Sequence, residues 1–147
     1  MNKDIKILTE VFYWQKKLKI RNILLSVDNK TKYVGYVCDY KIGIPALFLN
    51  LKALKEDSDI EIISTIFHEF GHIKYKTYLW KPTEANKVKR EYLAETYALK
   101  QLKKYFPKEY KNHIKSWKEA IYKKDWKKDF PIHYEAFSRI PEYQEEK

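Results

Sequence analysis

Residues 60–72 place two conflicting demands on one segment, and few folds meet both. Ile60, Ile62, Ile63, Ile66, Phe67 and Phe70 make it apolar on most sides, the pattern of a helix buried inside a domain. The same segment carries His68, Glu69 and His72. Burying three such groups without partners costs several kcal/mol, so the fold must supply those partners. Ser58-Asp59-Ile60-Glu61 has the form of a capping box and predicts the start of the helix. Residues i and i+4 share one helical face, so the imidazoles of His68 and His72 can reach a single metal ion. His-Glu-x-x-His is the spacing at which two imidazoles hold zinc and the intervening carboxylate acts as general base on a water at the metal. The sequence therefore predicts a buried central helix whose polar groups are satisfied by one Zn²⁺ ion and its water, with Glu69 as the base.

A chain of 147 residues is long enough for one domain with a real core, so residues 1–147 are read as a single domain. One cysteine, Cys38, excludes an internal disulfide framework and fits a reducing compartment. Met1 to Ile20 has charged residues every few positions, and no apolar run approaches signal-peptide or membrane-span length. A soluble cytoplasmic protein without a membrane anchor is the expectation. The net charge of +10 suggests non-specific contact with nucleic acid or with an acidic protein face. Only three of the thirty basic residues are Arg, whereas base-edge readout leans on Arg forks. A Lys-rich solvated surface is the simpler reading of that charge.

Before the central helix, residues 4–19 carry Ile5, Leu8, Val11, Phe12 and Leu18 at helical spacings. Three strand-like runs follow, at residues 23–27, 33–40 and 44–49, with Gly35 expected to mark a bulge and Pro45 to confine its strand to an edge. Together they predict a small, mainly antiparallel three-stranded sheet and an α+β fold. Cys38 is expected to be a small core residue, and Tyr33, Tyr36 and Tyr40 either a cross-strand ladder or a substrate platform. Beyond a break at residues 78–83, a helix is predicted over 84–105, ended by Phe106-Pro107, and another over 109–123. From Asp125 on, with Pro131 and Pro141, the tail reads as irregular.

A catalytic zinc site usually has three protein ligands and one open position. His113, His133 and a carboxylate from a neighbouring helix are the candidates for the third. Glu91, Ala94, Glu95 and Ala98 share one helical face, and the alanines allow close approach to the His-bearing helix. Glu91 is therefore the preferred third ligand and Glu95 the alternative. Against this stands a plain solvated face on which Lys87 and Glu91 pair at i,i+4. His113 and His133 read as ordinary surface or packing histidines.

His68-Glu69-Phe70-Gly71-His72 followed by Glu91-x-x-Ala94-Glu95-x-Tyr97-Ala98 resembles the Glu-ligand zincins (gluzincin-like), most closely the small ImmA/IrrE-type metallopeptidases of bacteria and mobile elements. The resemblance covers residues 44–98, and where the family usually has Ala-Asn this chain has Ala94-Glu95. It implies a zincin-like fold in which the sheet packs against the HExxH helix and a second, ligand-bearing helix. It also implies His68, His72 and Glu91 as zinc ligands, Glu95 as a group supporting a ligand, and Glu69 as the catalytic base. The implied activity is hydrolysis of peptide bonds in a cytoplasmic protein substrate, possible examples being transcriptional repressors. His133 or Tyr134 is a candidate to stabilise the oxyanion, and the strand at 44–49, if an edge, could bind substrate backbone by strand addition. The alternative is a non-proteolytic regulatory or nucleic-acid-binding protein with a structural metal site.

Overall fold

The segment with conflicting demands becomes helix α3 (Asp59–Lys74), and the rest of the molecule is arranged around it. The computed structural model describes residues 2–145. Before α3 come α1 (Lys3–Lys17), strands β1 (Leu24–Val27), β2 (Gly35–Lys41) and β3 (Ile44–Leu49), and a single turn of helix, α2 (Leu51–Leu54). After it come α4 (Glu84–Tyr105), α5 (Pro107–Ile121), α6 (Lys124–Asp129) and α7 (Pro131–Phe137), with 3-10 turns at Thr77–Leu79 and Pro141–Tyr143. The architecture is α+β, with seven helices and a three-stranded sheet among the described residues. None of these helices is long and apolar enough to cross a membrane.

Ser58 caps α3 by accepting from the Glu61 amide at 3.4 Å. The Glu61 carboxylate does not return to the cap. It accepts from Trp117 Nε1 at 3.2 Å and pairs with His113 Nδ1 at 3.0 Å, which fastens α5 to α3. Ile66, Phe67 and Phe70 are fully buried, and Trp14 of α1 meets Phe67 edge-on. Helix α4 approaches α3 backbone to backbone at Gly71. A Cβ placed on Gly71 would sit 2.7 Å from Ala94 Cα and 2.8 Å from its carbonyl oxygen. The alanine face of α4 therefore does what its composition predicts.

The sheet corrects four expectations. Its order is β1-β3-β2, with β3 antiparallel to β2 but parallel to β1, so it is mixed rather than mainly antiparallel. The strand containing Pro45 is central, not an edge. Ala46, Leu47 and Leu49 give β3 the most apolar surface of the three, and burial from both sides outweighs the one donor that proline lacks. Pro45 sits opposite Asp39, where the register with β2 slips between Asp39 and Lys41. The irregularity is thus at Tyr40 and not at Gly35. Gly35 instead opens β2, buried, where a Cβ would lie 3.3 Å from Glu69 Cγ. Cys38, expected in the core, is exposed.

The tail is not irregular. Pro107 and Pro131 each occupy the first turn of a helix, where a missing N–H costs nothing, and so begin α5 and α7 rather than only ending what precedes them. Helix α7 packs on α4, and Ile140 and Tyr143 beyond it are fully buried.

Candidate metal centre

His68 and His72 lie one turn apart on the face of α3 that meets α4, with ring centroids 5.0 Å apart. The contact between Gly71 and Ala94 brings Glu91, one turn earlier on α4, directly across from both rings. His68 Nε2 lies 3.1 Å from Glu91 Oε2, and His72 Nε2 lies 3.0 Å from Glu91 Oε1. Ligating atoms of the three residues all fall within 4.8 Å of one another, so the group could hold a metal ion.

The far nitrogen of each ring is already committed. His68 Nδ1 donates to Glu95 Oε1 at 2.8 Å, and the other Glu95 oxygen accepts from the Tyr143 hydroxyl at 2.5 Å. His72 Nδ1 donates to Thr77 Oγ1 at 2.8 Å, while that hydroxyl turns its own proton toward the His72 carbonyl at 3.4 Å. Thr77 reaches this position because Lys76, at φ 52°, takes a left-handed turn just past the end of α3. With both Nδ1 atoms donating, both Nε2 atoms point at the Glu91 carboxylate as acceptors facing acceptors. Only a proton or a cation between them makes that arrangement favourable.

The electrostatics agree. Burial disfavours a charged His68, but the Glu91 and Glu95 carboxylates outweigh it and hold the imidazole well above its ordinary value. Burial likewise opposes ionisation of Glu91, yet His72, His133 and His68 hold its carboxyl well below the usual range. Glu95 is lowered against the same penalty by His68 and Tyr143. Glu69 behaves differently: burial pushes its carboxyl up. It is 5% exposed, and its Oε2 is buried with no hydrogen-bond partner. Two imidazole nitrogens and a carboxylate oxygen are a donor set that suits a divalent metal ion such as zinc, and the orphaned Glu69 oxygen lines the same cleft. The residues fit the metal.

Of the residues predicted from sequence, His68, Glu69, His72 and Glu91 come together. Glu95 stands behind His68 rather than facing the Nε2 atoms, whereas Glu91 faces both of them. Both Glu91 oxygens are taken up by the rings and its side chain is 14% exposed, which replaces the Lys87 pairing. His133, read as an ordinary histidine, in fact lies with Nε2 3.3 Å from Glu91 Oε2. Tyr134, its fellow candidate, packs against Tyr122 instead, and His113 serves the Glu61 network together with Ser64. Thr77 and Tyr143 were not foreseen. A cleft of about 270 Å³ opens over Glu69, His72 and Glu91, walled by Tyr33, Gly35 and Val37 of the sheet side and by His133. The strand that borders it is β2, not β3. Comparison with protein-family models, curated proteins and solved structures finds no match to the chain.

Proposed function

We propose that the protein is a zinc-dependent endopeptidase of zincin type, hydrolysing peptide bonds of a cytoplasmic protein substrate. The observation that carries this reading is the unpartnered, buried Oε2 of Glu69 beside the His68–His72–Glu91 donor set. A structural metal site needs its ligands and their supports, and has no use for an orphaned carboxylate oxygen next to them. The resemblance of the two motifs to ImmA/IrrE-type peptidases supports the same reading and suggests transcriptional repressors as substrates.

Zinc held by His68 Nε2, His72 Nε2 and Glu91 would supply Lewis acidity, polarising the scissile carbonyl and lowering the pKa of water toward neutrality. Glu69 takes the proton of the attacking water and returns it to the leaving amine, a role suited to a buried carboxyl whose pKa lies above the ordinary range. Glu95 and Thr77 fix the tautomers of the two imidazoles so that both Nε2 lone pairs face the same point. Among the described residues β2 pairs only with β3, so its outer edge offers main-chain groups along the cleft, where an extended substrate can add as a strand. His133 lines the same cleft, with its Nε2 3.3 Å from Glu91 Oε2, and would donate to the developing oxyanion.

The net charge of +10 favours a second reading, a regulatory module that grips nucleic acid through its basic surface and keeps the metal for structure. The Glu69→Gln variant separates the two. Cleavage of a mixed peptide library, read by mass spectrometry, is expected to fall about 10²–10⁴-fold while bound zinc is retained. Equal cleavage by the parent and the variant would refute Glu69 as the base. A biological effect that survives the substitution would favour the regulatory module.

A further inference from the structure

A second cavity, of about 230 Å³, adjoins the cleft over the metal site and shares Tyr33, Gly35, Glu69 and His133 with it. One wall is aromatic and comes from the C-terminal helices: Trp117 of α5, Trp126 of α6, Phe130, and Phe137 of α7. These rings form one continuous cluster. Trp117 meets Trp126 at 6.0 Å and Phe137 at 5.8 Å, and Trp126 meets Phe130 and Phe137 at 5.7 Å each. The wall is held rigidly, because the Trp117 indole N–H is anchored to Glu61 of α3. Thr65 and His68 of α3 form the opposite side, and Lys32 at the rim lies 5.7 Å from the Phe130 ring.

Resting on the peptidase reading, we infer that this cavity is a specificity pocket for an aromatic or large branched apolar side chain flanking the scissile bond. Three features support the assignment. The pocket and the cleft meet at Glu69, so a main chain held along β2 can send one side chain over Gly35 into the aromatic chamber. Gly35 has no side chain to obstruct that passage, and a Cβ there would already press on Glu69 at 3.3 Å. Trp117, Trp126 and Phe130 are each only part-buried, so the chamber presents apolar ring surface that a substrate side chain would remove from water. The C-terminal helices α5 to α7 would thus select the substrate, while α3 and α4 carry the chemistry.

The test uses two small probes on the zinc-loaded full chain, phenylalanine hydroxamate and glycine hydroxamate, with affinities measured by calorimetry. Both carry the same metal-binding group and differ only in the benzyl side chain. The phenylalanine probe is expected to bind at least about tenfold tighter, the ratio for burying a side chain of that size. Thr65→Phe, which fills the chamber, and Trp126→Ala, which removes its wall, should each bring the ratio toward one and leave glycine hydroxamate affinity unchanged. That unchanged affinity also shows that each variant is folded. Equal binding of the two probes to the parent, or a preference that persists in both variants, overturns the pocket while the metal site stands. Failure of both probes to bind zinc-loaded protein overturns the peptidase reading and the pocket with it.

Discussion

At the scale of single residues, the site depends on side chains that never touch the metal position. Tyr143 donates to Glu95, Glu95 accepts from His68, and His68 turns its Nε2 toward Glu91. Tyr143→Phe keeps the ring in the core and deletes the hydroxyl, so one Glu95 oxygen is left buried without its donor. Zinc affinity, measured by competition with a chromogenic chelator, should fall roughly 10–100-fold, as for lost partners of other metal-ligating groups. An unchanged affinity would mean that Glu95 holds His68 without help. The three residues that could hold a metal were legible in the sequence because two imidazoles at i,i+4 and a carboxylate among alanines leave a periodic signal. Thr77 left none: it follows a helix end and is placed by the left-handed turn at Lys76, which no spacing rule announces. Tyr143 is one of thirteen tyrosines and lies 48 residues from its partner, so only the folded tail shows it.

At the scale of elements, the candidate metal site is the consequence of one helix crossing. Gly71 and Ala94 let α3 and α4 touch, and Glu91 meets both histidines only at that separation. Gly71→Ala puts a methyl group within 2.8 Å of α4 backbone, which no side-chain rotation can relieve. The helices must part, at a cost of about 1–3 kcal/mol. Chemical denaturation should report that loss, with zinc affinity dropping alongside it; full stability and full affinity together would show that the crossing tolerates a wider gap. Helix α4 was legible to its ends, Glu84 and Tyr105, because alternating polar and apolar turns are bounded by Thr83 and by Phe106-Pro107. The sheet was less so. Proline was weighed as an edge signal, whereas the apolar run Ala46–Leu49 decided the position of β3. The same residue type misled again in the tail, where Pro131 opens a helix instead of breaking one.

At the scale of the whole molecule, the stability of the metal-free protein should carry the imprint of the site. Glu91 and Glu95 are held below their ordinary value of 4.5, so the stability they contribute is present above 4.5 and lost as pH falls through their folded values. His68 is held well above 6.5, so its contribution is present below 6.5 and lost as pH rises through its folded value. Glu69, raised by burial from 4.5, adds to the loss on the alkaline side. In chelator, the melting temperature should therefore peak toward the acid end of the window between 4.5 and 6.5 and decline on both sides. With zinc the alkaline decline should flatten, since the metal replaces the proton that His68 would otherwise need. A profile identical with and without zinc would contradict this. The central helix was readable from residues 60–72 and the α+β class from the three strand-like runs before it, whereas the closing of the tail over α4 depends on long-range packing of Phe137, Ile140 and Tyr143 that no local pattern encodes.

The most direct test is the zinc content of the purified protein and of its His72→Ala and Glu91→Ala variants, each measured by atomic emission after dialysis against metal-free buffer. One equivalent in the parent and close to none in either variant is the result this account predicts. A parent that retains no zinc, or a Glu91→Ala variant that retains it in full, would contradict it.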